Sequence, residues 1–397
     1  MVNKGYKQTE VGVIPEDWEL LLLGKAAKVY RGGSPRPIQS YITNSPNGVN
    51  WIKIGDVREN DKYIYSTQEK IGPDGIAMSR EVHIGDFILS NSMSFGRPYI
   101  LRTNGCIHDG WLTIQEYGHA FSTEYLYYLL SSKIIYKQYI GMAAGSSVKN
   151  LNKDKVSSLM VICPPLPEQQ RIAEALSDVD GMISSLEKLI AKYKSIKTAC
   201  LQQMFPQNGE TVPRMRLPGF TGTWEQRKLE DIASDMVAGG DIDKDLILAE
   251  GQYPVIANAL TGDGIVGYYD KEYRVSAPAV TVTGRGDVGH AKARLVNFTP
   301  VVRLLSVKSE HDVFFLENAI NTLRIVIEST GVSQLTVPQL EKYEVAFPQQ
   351  LDEEKQIGAF FKQLDNLITL HQRKLEKVQK IKQGMMQQLL TGKIRLV

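Results

Sequence analysis

The sequence has few of the residues on which several classes of protein depend. Its 397 residues include three cysteines, Cys106, Cys163 and Cys200, which lie far apart without a Cys-x-x-Cys spacing. This argues against a disulfide framework and against a zinc site, and it favours a reducing compartment, so we expect a cytoplasmic location. The six histidines show no metal-ligand spacing, and no metal site is expected.

Long apolar runs and an excess of charge are missing as well. No run approaches the roughly 18 apolar residues of a membrane span, and the N-terminus lacks the apolar core of a signal peptide. The 46 basic residues nearly balance the 44 acidic ones, for a net charge of +2. Because nucleic-acid-binding domains usually carry a clear basic excess, any contact with DNA would need a local basic surface.

Motifs of catalysis are incomplete. There is no GxxxxGK[ST] loop, and the His108-Asp109 pair comes without a nucleophile elbow. Two GxGxxG matches occur, at 262–267 and 284–289, but a dinucleotide site needs the last glycine to open a helix, and strand-like residues follow both. The Cys163–Leu166 segment lacks the flanking residues of an amino-methyltransferase tetrapeptide. We therefore expect no catalytic residues in this chain and interpret the glycine motifs as tight turns.

An internal repeat is the clearest feature that the sequence does contain. The segments Glu168–Phe205 and Glu353–Leu390 align without a gap at an offset of 185 residues. Self-similarity at a fixed offset indicates a duplicated structural unit. The matched pairs include Ile172 with Ile357, Asp180 with Asp365, Ile183 with Ile368, Lys192 with Lys377, Ile196 with Ile381, and Lys197 with Lys382.

Apolar residues recur in both segments at alternating steps of four and three. Such a repeat over more than four heptads predicts a coiled-coil seam. A lysine interrupts the seam at the same step in both copies, which would help to fix one register. The alternative, two ordinary amphipathic helices on separate cores, does not account for the identical phase and length. The predicted seam residues are Ile172, Leu176, Val179, Ile183, Leu186, Ile190, Ile357, Phe361, Leu364, Ile368, Leu375 and Val378.

The globular segments that precede the two helices repeat only in outline. Each opens near a tryptophan, carries a Gly-Gly pair and closes on a short apolar run before a proline. Short β-like runs mixed with helical stretches predict α+β domains. The predicted strands include 49–54, 86–89, 99–102, 279–283 and 301–307, and the predicted helices include 123–139 and 318–329.

Four phrases in this order resemble the specificity (S) subunit of Type I restriction-modification systems, over essentially the whole chain. They are Ile14–Trp18, Leu217–Trp224, Pro164–Ala173 and Leu389–Leu396. The second copy departs from the Pro-Glu-Gln-Gln phrase at 348–355, which leaves the start of the second helix open. The resemblance implies target-recognition domains at 1–165 and 207–349, with spacer helices at 166–206 and 350–397 in an antiparallel coiled coil.

The resemblance also implies a function and partners. Each domain would read one half of a bipartite site in double-stranded DNA, and the chain itself would be non-catalytic and hold no cofactor. Two modification subunits would use S-adenosylmethionine to methylate adenine, and restriction subunits would use ATP and Mg. An antiparallel helix pair would place the two readers at opposite ends. The seam from Ile172 to Met204 has 32 steps of about 1.5 Å, roughly 48 Å or on the order of 14 base pairs.

Candidate DNA contacts are the polar residues of glycine- and serine-rich loops, because bases are read by Arg, Lys, Asn, Gln or Ser in the major groove. Arg31, Lys53 and Arg303 are predicted phosphate contacts. Each of these residues could instead be an ordinary solvated side chain. The predicted base contacts are Ser90, Asn91, Ser94, Arg97, Ser147, Lys149, Asn150, Thr283, Arg285, Lys292, Ser333 and Gln334.

Two other functions remain open at this point. The halves could bind protein or carbohydrate in a scaffold without DNA, which the absence of a neighbouring adenine methyltransferase gene would favour. The glycine-rich turns could instead hold a nucleotide in an enzyme, which nucleotide-dependent thermal stabilisation would reveal.

Overall fold

The chain forms two compact units. A computed structural model describes residues 4–58, 61–91, 96–143, 151–207, 209–326 and 334–397. One unit comprises Met1–Ser185 with Leu375–Val397, and the other comprises Leu186–Lys374. Each unit includes one part of each long helix, and the four segments expected from the resemblance stay a prediction.

In the first unit, short strands alternate with short helices along the chain, and the last strand leads into a long helix. Its strands are β1 (Tyr6–Thr9), β2 (Gly12–Pro15), β3 (Glu19–Leu22), β4 (Lys28–Arg31), β5 (Val49–Ile52), β6 (Tyr63–Ile64), β7 (Glu69–Ile71), β8 (Arg80–Val82), β9 (Phe87–Ser90), β10 (Pro98–Leu101), β11 (Gly105–Ile107), β12 (Trp111–Gln115) and β13 (Met160–Cys163). Its helices are α1 (Leu23–Ala26), α2 (Pro73–Ile76), α3 (Thr123–Leu130), α4 (Lys133–Ala143), α5 (Lys153–Ser157), the first half of α6 (Leu166–Met204) and the last part of α10 (Leu351–Leu389).

The second unit has a similar order with fewer strands. Its strands are β14 (Glu225–Lys228), β15 (Ala233–Ala238), β16 (Tyr253–Ile256), β17 (Ile265–Tyr269), β18 (Ala279–Thr283), β19 (Ala291–Arg294), β20 (Thr299–Pro300), β21 (Leu304–Ser309) and β22 (Glu344–Phe347). Its helices are the second half of α6, α7 (Leu229–Ile232), α8 (Val313–Asn321), α9 (Val337–Leu340) and the first part of α10.

The sheets of the two units follow one plan. In the first unit, one sheet has the order β4-β12-β9-β10-β6 and a second has the order β7-β5-β11-β8. In the second unit the corresponding orders are β15-β21-β18-β19 and β17-β16-β20. An antiparallel ribbon, β3 with β13 or β14 with β22, leads into the long helix in each unit. Buried aromatic and aliphatic side chains between these sheets and the helices form the core of each unit.

The two long helices have the same length and the same spacing as the predicted repeat. Each has 39 residues, and both their first and their last residues differ by 185 positions. The second helix begins at Leu351, within the 348–355 segment at which the sequence left the start of this helix open. Pro167 is the second residue of the first long helix, because the carbonyl of Pro165 already accepts hydrogen bonds from Glu168 and Gln169.

The helices pair antiparallel within each unit. In the first unit Asp180, early in α6, bonds Lys382, late in α10. In the second unit Lys197, late in α6, bonds Asp365, early in α10. The predicted seam residues are buried, except Ile183 and Leu375, which are half-buried. Both lysines interrupt the seam, so the matched interruption carries a charge pair in each copy.

A buried carboxylate lies in the first turn of each long helix. Glu168 is 3% exposed and Glu353 is fully buried. Arg395, which follows α10, donates to Glu168 at 2.7 Å, and Arg216, which follows α6, donates to Glu353 at 2.8 Å. Burial alone would raise the pKa of Glu168, but the hydrogen bonds from Arg395 and Trp18 outweigh it and lower this pKa. In each unit, an arginine that follows one helix thus holds the beginning of the other.

Several predicted elements need correction. The predicted helix 318–329 begins earlier, at Val313, because the Asp312 carboxylate accepts the backbone N–H groups of Phe314 and Phe315 and caps it, and the helix ends at Asn321. The predicted helix 123–139 is two helices, α3 and α4, with a break at 131–132. The predicted strand 301–307 starts at Leu304, because residues 301–304 form a turn closed by the Leu304 N–H.

The glycine motifs are turns between strands, as the sequence predicted. Residues 262–264 form the turn before β17, which contains residues 265–267, and residues 284–289 connect β18 with β19. Neither motif opens a helix, so neither has the geometry of a dinucleotide site. In the described ranges, no helix is both long enough and apolar enough to cross a membrane.

Candidate nucleic-acid interface

In each half of the chain, the Gly-Gly pair packs against a turn, and the two turns are equivalent. Gly32 N–H donates to the carbonyl of Trp111, and Gly239 N–H donates to the carbonyl of Leu304. A Cβ atom on Gly32 would lie 2.1 Å from the His108 carbonyl oxygen, and one on Gly239 would lie 2.1 Å from that of Val301. No side chain fits at such distances, so glycine is required at both places. Residues 108–111 and 301–304 are therefore equivalent turns.

The turn of the first unit is organised around Asp109. Its carboxylate accepts a hydrogen bond from Ser34 at 3.1 Å, one from Arg36 at 3.4 Å, and lies 3.0 Å from His108 Nε2. Burial opposes ionisation of this carboxyl, but His108, Ser34 and Arg36 outweigh it and lower the pKa of Asp109. The carbonyl of Asp109 also accepts a hydrogen bond from Arg31 at 3.4 Å. The turn thus gathers two arginines, Arg36 at the ionised carboxylate of Asp109 and Arg31 at its backbone carbonyl.

The surroundings of His108 determine which of its nitrogens carries the proton. Gly110 N–H donates to His108 Nδ1 at 2.9 Å, so Nδ1 is an acceptor. The proton of the neutral ring then lies on Nε2 and is donated to Asp109. Both nitrogens are occupied, and the ring packs edge-on against Trp51 with centroids 6.1 Å apart. The His108-Asp109 pair is a turn feature, which agrees with the absence of a catalytic motif.

A cleft of about 740 Å³ opens beside this turn. Arg36 and Gln39 stand on its rim as exposed side chains. Lys53 also lines the cleft and forms a 2.7 Å ion pair with Glu69. The cleft therefore presents hydrogen-bond donors, mostly cationic, held by acidic partners.

The turn of the second unit brings together residues that lie far apart in the sequence. Gly284 lies against the carbonyl oxygens of Arg303 and Leu335, so a Cβ at Gly284 would be 2.2 Å from that of Arg303. Arg285 forms an isolated β-bridge with Gln334. Arg303 has a φ of +72°, a left-handed backbone that is uncommon for a residue other than glycine. Three predicted DNA contacts, Arg285, Arg303 and Gln334, therefore meet at this turn.

Other predicted DNA contacts lie in different surroundings. Ser90, Asn91 and Thr283 are buried, at 0%, 9% and 6% exposure, so in this conformation they present almost no surface to a base. The Thr283 hydroxyl instead accepts the His290 N–H and donates to the Asp287 carbonyl. Arg97 is half-buried just before β10. Ser94, Ser147, Lys149, Asn150 and Ser333 lie outside the described residues.

Lys292 lies in a second cavity, of about 350 Å³, in the second unit. It forms an ion pair with Asp263, and the Arg294 guanidinium donates to the carbonyl of Asp263 at 3.0 Å. Glu317 lines the same cavity, and burial raises its pKa to about 7. Because Asp263 already neutralises Lys292, this residue is less available for a phosphate than the arginines of the turn.

Sequence reasoning missed Arg36, Gln39, Asn258 and Arg274. Asn258 bridges the turn of the second unit, since its amide donates to Val302 and accepts from Gly284. Arg274 donates to the carbonyl of Asp241, the residue after the second Gly-Gly pair. Arg36 could have been noticed three residues after Gly33, between two prolines. Asn258 and Arg274 carry no local signal because only the fold brings them to the backbone groups that they contact.

The family model of the Type I restriction modification DNA specificity domain matches residues 15–196 and 221–380. The chain belongs to this family. A Methanocaldococcus jannaschii protein named as the candidate specificity subunit of the type I restriction enzyme MjaX is 26% identical, over 99% of this chain and 97% of its own length. The MjaVIII type I restriction enzyme specificity subunit of the same organism is 22% identical over the same shares.

Solved structures with the same fold carry this family's description. The crystal structure of the Type I restriction-modification S subunit from M. genitalium matches with a TM-score of 0.66 and 14% identity, covering 98% of this chain and 97% of that one. A chain from a structural study of complex assembly and conformational transition of the type I R-M system matches with a TM-score of 0.60 and 17% identity, covering 96% and 99%. The α+β fold expected from the strand-like and helical runs of the sequence is confirmed.

Proposed function

We propose that this specificity chain reads a bipartite site in double-stranded DNA, with one half-site for each unit and a spacer set by α6 and α10. The observation that carries the proposal is the pair of equivalent turns, which share their backbone frame but present different side chains. The first offers Arg31, Arg36 and Lys53, and the second offers Arg285 and Arg303. A shared backbone arrangement with different side chains suits two units that each recognise a different DNA sequence.

The helices are suited to setting the spacer. A 39-residue helix extends about 58 Å at 1.5 Å per residue. Paired charges at both ends of the repeat favour one antiparallel register, and a fixed register gives a fixed separation. The DNA between the half-sites would then be spanned without base contacts.

We further propose that the chain is non-catalytic and directs modification and restriction subunits, which would use S-adenosylmethionine, ATP and Mg. Apolar side chains that are exposed at equivalent helix positions support two copies of one partner. These are Leu166 and Leu351, 45% and 58% exposed, and Met182 and Leu367, 50% and 37% exposed. Duplicated apolar surface at matched positions is what two identical docking subunits would cover.

The proposal is tested by co-expressing the chain with adenine-methylating modification subunits and sequencing the methylated DNA. The expected product is a split motif with a fixed, unread spacer. Deleting Ile183–Leu189 together with the matched heptad Ile368–Lys374 keeps the register but removes about 10 Å of helix, so the spacer should shorten by about three base pairs. A continuous motif, an unchanged spacer or absence of methylation by the wild-type complex would contradict the proposal.

A further inference from the structure

The cleft beside the 108–111 turn carries an arginine, Arg36, most of whose side chain is exposed. Arg36 is anchored at only one point: its Nη2 donates to Asp109, while 82% of its side chain is exposed. The remaining N–H groups of the guanidinium are free of partners among the contacts found in the described residues. The guanidinium is thus held through one N–H group while its other N–H groups are available, so it can donate two parallel hydrogen bonds to a partner with two acceptors.

The anchor itself is rigid. Asp109 is held by Ser34 and His108, whose ring is fixed in turn by Gly110 N–H and by Trp51, which is 1% exposed. Gly32 packs directly on the His108 carbonyl, so the turn cannot move away from β4 without losing that contact. Arg36 therefore loses less side-chain freedom on binding than an arginine with no partner.

We propose, resting on the DNA-reading function above, that this cleft is a base-reading site of the first unit and that Arg36 reads a guanine through its free N–H groups. Guanine presents two acceptors, O6 and N7, in the major groove, and their spacing matches the guanidinium fork. Asp109 is the positioning residue, because it orients Arg36. Gln39, exposed on the same rim, is placed to contact the neighbouring base pair.

The surroundings favour a base over a phosphate as the partner of Arg36. The ionised Asp109 beside Arg36 and Glu69 beside Lys53 offset much of the positive charge of the cleft. A phosphate would face both carboxylates, whereas the edge of a guanine is uncharged and presents only acceptors to the fork. Arg31 is bonded to a backbone carbonyl and, among the contacts of the described residues, not to a carboxylate, so it is the better phosphate contact.

The test is the methylated motif produced by complexes of the full chain with its modification subunits. Arg36→Ala should remove the preference for guanine at one position of one half-site, with discrimination falling by roughly 5- to 150-fold, the factor for one bidentate pair. The other half-site and the spacer should not change. Arg36→Lys should also lose the preference, because it keeps the charge but not the fork. Asp109→Asn should relax the same position less strongly.

Arg214→Ala is the matched control. It removes the same charge, and Arg214 is 67% exposed and lies in the second unit. It should leave both half-sites unchanged. An unchanged motif for Arg36→Ala would overturn the inference. The inference would also be overturned if Arg36→Ala lowered methylation equally at all sequences and Arg36→Lys restored it. That pattern indicates a phosphate contact. Failure of the proposed function is a separate result, visible in the wild-type complex as the absence of a split motif.

Discussion

Lys197 Nζ lies 2.7 Å from both carboxylate oxygens of Asp365. The same contact recurs in the first unit between Lys382 and Asp180, with each residue replaced by its counterpart 185 positions away. Both lysines occupy positions that an apolar residue would fill in an uninterrupted seam. A charge pair there contributes less to stability than to the choice of one register, because shifting either helix by a heptad would separate the lysine from its partner.

Reversing both members of this pair should test that relationship. Lys197→Asp and Asp365→Lys should each lower the free energy of unfolding, and the double variant should recover part of the loss. Both side chains are partly exposed, so the coupling should be about 0.5–1 kcal/mol. Urea unfolding of the four proteins measures it. The Asp180 and Lys382 cycle is the internal control and should give a similar value, whereas strictly additive losses in both cycles would refute a role for the pairs.

Gly32→Ala and Gly239→Ala should both destabilise the chain by about 1–3 kcal/mol, since the new methyl group would overlap a carbonyl oxygen. Gly118→Ala is the control, because a Cβ there meets no atom within 4 Å. Thermal or urea unfolding provides the comparison. If all three variants have the same stability, then the close packing of the Gly-Gly pairs on the two turns is not required.

Arg395→Ala should destabilise the first unit by about 2–3 kcal/mol, because it leaves the buried Glu168 carboxylate without its cation. The lowered pKa of Glu168 contributes stability above about pH 4.5, and this stability is lost as the pH falls through the folded-state pKa. The variant should therefore show a flatter loss of stability in acid than the wild type.

Unfolding curves between pH 3 and pH 7 measure this difference. Arg171→Ala is the control, as Arg171 is an exposed arginine that donates only to the Leu396 carbonyl among the contacts of described residues. It should shift stability by less than about 0.5 kcal/mol. Parallel pH curves for Arg395→Ala and wild type would contradict the assigned role of Arg395.

Glu317 should give the opposite pH dependence. Burial raises its pKa from 4.5 to about 7, so the folded chain holds a proton that the unfolded chain releases. The contribution of Glu317 is then fully present below about pH 4.5 and is lost as the pH rises to about 7, by at most about 3 kcal/mol. Glu317→Gln should remove this part of the slope. Identical slopes for the variant and the wild type between pH 4.5 and pH 8 would show that Glu317 does not titrate in this way.

The repeat was available from the sequence because a coiled-coil seam is a local, periodic property. The 185-residue offset, the lysine interruptions and the glycine turns all follow from residue type and spacing, which act over a few helical turns or a single loop. Helix ends were less certain. Asp312 moves the start of α8 by five residues, and a cap of that kind competes with several nearby polar residues in any sequence.

The partners of the charges were decided by tertiary structure. Nothing local to Lys197 selects Asp365 over another acidic residue, and nothing near Glu168 identifies Arg395, which lies 227 positions away. Arg285, Arg303 and Gln334 were each proposed from loop composition, but only the packing of Gly284 brings them to one turn. The sequence by itself determined two units and paired helices, because apolar periodicity specifies which faces are buried. The fold alone decided which polar groups meet, because these contacts depend on long-range packing.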